Sequence, residues 1–115
     1  MIKLTELTKN QKLEEIKVDF IIKTDKQVVA TVKDKYRCET ESSESGWTAD
    51  TKVKVFCSCP DFQFRWAYVL WKHDALLHPD SFVLEPPKEK NPGMKVGACK
   101  HLAAVARELL ETEKK

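Results

Sequence analysis

Cys57 and Cys59, in the run Phe56-Cys57-Ser58-Cys59-Pro60-Asp61-Phe62, are answered after 39 intervening residues by Cys99 and His101 in Gly97-Ala98-Cys99-Lys100-His101-Leu102. Thiolate sulfur and imidazole nitrogen are the ligands that a borderline-soft divalent ion prefers. Three cysteines with one histidine make a closed tetrahedral set, with no position left open for a reacting water. The chemistry these four residues support is therefore that of one structural zinc ion, a scaffold rather than a catalyst.

Two distant pairs can share an ion only if the elements around them bring their donors together. Lys52 to Cys59 reads as a strand on which Val53, Val55, Cys57 and Cys59 share a face, because side chains two apart on a strand point the same way. The thiols thus continue an apolar stripe and point inward. From Ala98 onward Leu102, Val105, Ala106 and Leu109 recur at helical spacing. Within a regular helix, residues separated by one point about 200° apart, so Cys99 must lie at the cap with non-helical backbone angles if it and His101 are to reach the same ion.

The rest of the chain supplies a small framework. Ile16, Val18, Phe20 and Ile22 alternate with Lys17, Asp19, Ile21 and Lys23, which predicts a strand with one buried face. After a short turn at 24–27, Val28 to about Arg37 predicts a second strand with Val28, Ala30 and Val32 on one side, and the two strands form a hairpin. Glu39 to Asp50 is polar and reads as a solvated loop. Phe62 to about Leu77 is rich in Trp and free of Gly and Pro, which predicts a helix. A proline-bearing loop spans 78–97, and residues 1–12 form an N-terminal arm, strand-like or briefly helical. The expected fold is α+β: a three-stranded antiparallel sheet, an aromatic helix and a C-terminal helix, pinned by one zinc in a single domain over 1–115.

Composition agrees with a small globular domain: 115 residues, 33% charged, only 3 Gly, and a net charge of +2 that announces no nucleic-acid binder. No apolar run approaches the roughly 18 residues needed to cross a bilayer, and the first residues lack the apolar segment of a secretory signal. Synthesis in a reducing cytosol is the expectation, where the 4 cysteines are metal ligands or buried thiols rather than a disulfide framework.

The C-S-C of 57–59 and the C-K-H of 99–101, with an apolar helix after the histidine, resemble the SWIM-type zinc finger, whose ligand pattern is C-x-C, a variable gap, then C-x-H. The resemblance covers about 50–110. It implies that Cys57, Cys59, Cys99 and His101 are the ligands, that sheet and helix are held together by the ion, and that the module serves DNA or protein interaction. The gap is long for the family and holds a complete extra helix. With Asn91-Pro92-Gly93 and the aromatic helix included, the pattern is most similar to short stand-alone SWIM-like proteins of tailed bacteriophages. That likeness implies a small structural protein of the virion, in the neck, tail or baseplate region.

Competing donors are Cys38, His73 and His78, whose types also suit a small buried thiol and polar surface residues respectively. Asp61 suits a helix cap or an acceptor that orients a ligand. The aromatic helix has two apolar sides where one is expected. Phe62, Trp66, Val69, Leu70, His73 and Leu77 cluster on one, and Phe64, Tyr68, Trp71 and Ala75 fall nearly opposite. Either a neighbouring segment covers the second side or Phe64, Tyr68 and Trp71 meet a protein partner, in a larger assembly or in a homo-oligomer. Lys33, Lys35, Arg37, Lys52 and Lys54, with Lys17 and Lys23, would line the outer sheet face, as a solvated surface or as contacts to nucleic-acid phosphates. No G-x-S-x-G elbow, glycine-rich phosphate loop or H-E-x-x-H is present, so no enzyme activity is expected. Function is expected in non-enzymatic protein–protein assembly, with nucleic-acid binding as the alternative and no membrane partner.

Overall fold

The computed structural model describes residues 1–8, 16, 18–85, 93 and 95–113. Strands β1 (Ile2–Lys3), β2 (Val18–Lys23), β3 (Gln27–Val32), β4 (Tyr36–Ser42) and β5 (Lys52–Cys57) form one sheet in the order β1-β5-β4-β3-β2. Every neighbouring pair is antiparallel. A π-helical turn, Phe62–Trp66, leads into helix α1 (Ala67–Lys72), and helix α2 (Lys100–Glu113) closes the described chain. The α+β class and antiparallel sheet match the sequence, but the sheet is larger than the three strands expected.

Two features account for the extra strands. The predicted strand over 28–37 is two, folded at Lys33 and Asp34, which both hold positive φ (56° and 53°) while the Lys35 amide donates to the Val32 carbonyl at 3.2 Å. This is the backbone that a tight I′ hairpin requires, built without the glycine or asparagine that normally marks it. β4 then runs on to Ser42, so residues 39–42 of the expected loop are sheet. Three of its polar residues, Glu39, Thr40 and Ser42, are buried, whereas Arg37 and Glu41 are exposed. The N-terminal stretch, read as an arm, contributes β1 at the outer edge of β5 and a 3-10 turn, Leu4–Thr8, whose Leu4 and Leu7 are buried. Residues 9–12 lie outside the described residues, as do Lys17 and the prolines at 86, 87 and 92.

The core fills one face of the sheet. Val28, Ala30, Val32, Cys38, Val53, Val55 and Cys57 are buried there with Leu102, Val105, Ala106 and Leu109 of α2. α2 lies across β4 and β5 and against the 3-10 turn. β2 corrects the expected alternation. Its pairing slips between Val18 and Phe20, so that Val18 faces Val32 whereas Ile21 faces Ala30. An extra residue at a bulge reverses the phase of every side chain after it. Ile21 therefore packs on the core and Ile22 is exposed.

The aromatic helix ends earlier than Leu77. His73 closes it, Asp74 takes a left-handed φ of 54°, and the amides of Asp74 and Ala75 donate to the carbonyls of Trp71 (3.1 Å) and Leu70 (2.8 Å). That pair of bonds is a Schellman stop, whose left-handed position normally belongs to glycine. The chain then joins β5 beyond the end of β1: Val55 donates to Ala75 (2.8 Å), Leu77 donates to Val55 (2.9 Å), and Leu76 bridges Val55 in parallel. Capture by the open edge of β5 thus ends a helix that no Gly or Pro stops.

A left-handed L-residue costs about 1–2 kcal/mol. Asp74→Gly removes that cost, at the expense of greater freedom in the unfolded chain and of an exposed ion pair to Lys54 (3.3 Å) worth little. We expect the variant to gain about 0.5–1 kcal/mol, read as a higher urea midpoint at unchanged slope. A lower midpoint would show that the Lys54 pair outweighs the backbone.

Candidate metal centre

The strand register brings the first donor pair to one place. Cys57 is the last residue of β5, on the core face, and Cys59 follows two residues later, just before the helical turn. The second pair sits where α2 starts. Cys99 lies outside the helix and its carbonyl accepts the Ala103 amide at 3.0 Å, so it occupies the cap, whereas His101 is in the first turn. The helix boundary demanded by the spacing of Cys99 and His101 is the one observed.

The donor atoms of Cys57, Cys59, Cys99 and His101 all lie within 4.8 Å of one another, and all four residues are buried. A tetrahedron with metal–sulfur bonds of about 2.3 Å places its donors roughly 3.8 Å apart. The Cys57 Sγ to His101 Nδ1 distance of 3.9 Å meets that spacing. His101 is held by Tyr36, with ring centroids 4.5 Å apart, and its buried Nε2 has no hydrogen-bond partner among the described residues. The Phe62 amide donates to Cys59 Sγ at 3.4 Å, a bond that spreads thiolate charge and orients the sulfur.

Electrostatics make the same demand for a cation. The Cys57 thiol is held far below its ordinary value, chiefly because Cys38, then Cys59 and Cys99, donate to its sulfur. The Cys59 thiol is pushed up to about 11, foremost by donating to Cys57. Cys99 is driven well above its ordinary value, first by burial and then by Cys57. Each buried sulfur thus bears on the ionisation of its neighbours. Three thiolates can coexist there when a dication offsets them, and a zinc ion fits both the donor set and the spacing. The site accommodates one ion.

The competing donors are placed elsewhere. His73 is the exposed cap of α1. His78 is exposed, pairs with Glu39 at 3.3 Å and meets the Phe56 ring edge-on at 5.2 Å. Cys38 is fully buried and touches Cys57, Sγ to Sγ 3.6 Å, but does not belong to the four-donor cluster. Asp61 makes no side-chain cap; it pairs with Arg65 one turn on, at 3.1 Å. Both line a cleft of about 340 Å³ that opens beside Cys99, Lys100 and His101. Tyr36 and the Phe62 amide have no counterpart in the sequence reading. A stacking ring and a backbone donor leave no spacing signature.

Among the described residues the aromatic helix has one buried side and one more exposed side. Phe62, Trp66, Ala67, Val69 and Leu70 are buried, whereas Phe64 is 61% and Trp71 43% exposed, with Tyr68 half-buried between them. Tyr68 and Trp71 are 5.8 Å apart, and the Lys72 ammonium lies over both rings, at 5.6 Å and 5.2 Å. Ala75, assigned by periodicity to this side, is buried in the turn that follows.

The basic residues do not form one stripe. Lys33 and Lys35 lie in the β3–β4 turn, and Lys35 covers the Tyr36 ring at 5.2 Å. Arg37, Lys52 and Lys54 are on the outer face, interleaved with carboxylates: Arg37 pairs with Glu39 at 3.3 Å, and Lys54 sits opposite Glu41. No helix of the described residues is long and apolar enough to cross a membrane.

Residues 48–73 match a family model, the SWIM zinc finger. The match contains Cys57 and Cys59 and stops before Cys99 and His101, so the second donor pair is supplied by the fold. No curated protein and no solved structure matches the chain significantly.

Proposed function

We propose that this SWIM-like zinc centre is a non-enzymatic clamp, and that the chain's task is protein–protein assembly through the side of the aromatic helix that faces away from the core. The observation that carries this reading is the stripe of Phe64, Tyr68 and Trp71 standing clear of the core on a helix that starts beside the centre. Large rigid aromatics exclude water over a wide area at low entropic cost, which is why they concentrate in interfaces. A closed four-donor site supports structure rather than turnover, in keeping with such a role.

The occupant we assign to the stripe is a second copy of this chain. Phe64 and Trp71 flank Tyr68 at nearly equal helical distances, so two copies crossing antiparallel would set Tyr68 on Tyr68 and Phe64 on Trp71 about a twofold axis. Sizing the zinc-loaded protein by light scattering tests this, with Tyr68→Ser/Trp71→Ser as the control. The expected result is a dimer that becomes a monomer in the double variant, at unchanged zinc content. A wild-type monomer at every concentration would overturn the assignment. Were that monomer to bind DNA with an affinity falling steeply in salt, the nucleic-acid reading would replace it.

Placement in a tailed-phage particle is a finer form of the same proposal and rests on the motif resemblance. Mass spectrometry of purified particles tests it: the chain is expected at fixed copy number, and particles complete without it would overturn that placement.

A further inference from the structure

Cys38 is the one cysteine left outside the zinc set, yet its sulfur is 3.6 Å from that of Cys57. The two residues face each other across β4 and β5, in register. The next pair along, Arg37 and Ser58, is a hydrogen-bonded one, since the Ser58 amide donates to the Arg37 carbonyl at 3.0 Å. Antiparallel ladders alternate, so Cys38 and Cys57 form a non-hydrogen-bonded pair, the closer kind, with α-carbons typically about 4.5 Å apart. That separation falls within the range a disulfide spans, roughly 4.4–6.8 Å. Side-chain rotation alone can then bring the sulfurs from contact to bond, with both strands in place.

We propose that Cys38 and Cys57 form a redox switch on the zinc centre: a peroxide oxidises the pair to a cross-strand disulfide, which withdraws Cys57 from the ligand set and releases the ion. This rests on the zinc reading of the site. Cys38 and Cys57 are fully buried, and a cleft opens on the Cys99 and His101 side of the cluster. In the first step the Cys57 thiolate attacks a peroxide oxygen, the O–O bond breaks, and the resulting hydroxide takes up a proton and leaves as water. The Cys57 sulfur is now a sulfenic acid. In the second step the Cys38 sulfur attacks it, the S–O bond breaks, and the hydroxyl leaves with the Cys38 proton as a second water. Two electrons pass from the sulfurs to the peroxide, and one thiol, one thiolate, one proton and one hydrogen peroxide become one disulfide and two waters.

The disulfide consumes a ligand that the other three cannot replace, because Cys59, Cys99 and His101 already occupy their own corners. Loss of the ion uncouples the end of β5 from the start of α2, and a thiol reductant restores the set. The pairing favours Cys38 over the neighbouring ligands as the resolving thiol. A Cys57–Cys59 bond would close a very small ring of poor geometry, and bonds to Cys99 must form across the site from another element.

The test uses the full chain loaded with zinc, its metal content measured before any oxidant is added. Hydrogen peroxide is then titrated in, release is followed with a chromophoric zinc chelator, and disulfides are mapped by mass spectrometry without reduction. The expected result is one ion released per Cys38–Cys57 disulfide, reversed by thiol reductant. Cys38→Ser and Cys38→Ala, each taken only if it holds wild-type zinc at the start, should release it about tenfold more slowly, for want of the resolving thiol. Release at the wild-type rate from both variants, or a map showing bonds only among Cys57, Cys59 and Cys99, would overturn the switch. A wild-type chain with no zinc before oxidation would instead overturn the zinc reading beneath it.

Discussion

Cys99→Ser is expected to leave the chain unable to retain zinc and largely unfolded at room temperature. Cys99 is fully buried at the cap of α2 and holds that helix start against the end of β5. Structural zinc contributes on the order of 10 kcal/mol of apparent stability to a small domain, comparable with the total of about 5–15 kcal/mol that such a domain possesses. Loss of the ion alone therefore exhausts the margin. The serine hydroxyl also stands among sulfurs with no cation to offset them. Far-ultraviolet circular dichroism and metal content, measured on one preparation, check this. Retained zinc with a wild-type melting temperature would mean that Cys99 is only a buried thiol.

Trp47→Ala comes next in size and has nothing to do with metal chemistry. Trp47 is 1% exposed although it follows the polar run Ser42-Ser43-Glu44-Ser45-Gly46, and its indole N–H donates to the Thr24 carbonyl at 2.9 Å. It thereby fastens the β4–β5 connection to the β2–β3 turn. Truncating a buried tryptophan costs about 3–5 kcal/mol, because the transfer energy is lost and a cavity remains. For a domain of this length that lowers the melting temperature by roughly 15–30 °C. Trp47→Phe keeps much of the volume and loses the hydrogen bond, so it should cost about 1–2 kcal/mol. Trp71→Ser, on the exposed stripe, should cost less than about 1 kcal/mol. Thermal melts of the three variants check the order, and equal losses for Trp47 and Trp71 would contradict the burial pattern.

The metal centre was legible in the sequence because a soft-ligand set needs only residue types and two short spacings to declare itself. The same two residues, Cys99 and His101, also located the helix boundary, since a shared ion forbids both from being helical. Local chemistry of that kind survives without knowledge of the fold. The sheet did not, for reasons seen at particular positions. The slip after Val18 inverts the face of Ile21 and Ile22, and a single extra residue leaves no mark in composition. Lys33 and Asp34 make a hairpin turn without a glycine or an asparagine to mark it, so two strands read as one. β4 carries Glu39, Thr40 and Ser42 into buried positions, where periodicity of apolar residues has nothing to register. The helix end at Asp74 is set by an edge of β5 that is distant in sequence. The contact of Cys38 with Cys57 depends on the β4–β5 register and appears only when the strands are paired.

Metal-dependent spectroscopy tests the four-donor centre most directly. Purified chain stripped of metal and titrated with cobalt(II) should bind one equivalent, with the intense sulfur-to-metal charge-transfer and visible bands of a tetrahedral thiolate site. Zinc should displace the cobalt. Cys38→Ser should reproduce the wild-type spectrum, whereas Cys99→Ser and His101→Ala should each lose stoichiometric binding. A chain that binds no cobalt, or one whose spectrum depends on Cys38 and not on Cys99 and His101, would contradict the assignment of Cys57, Cys59, Cys99 and His101 as the ligands.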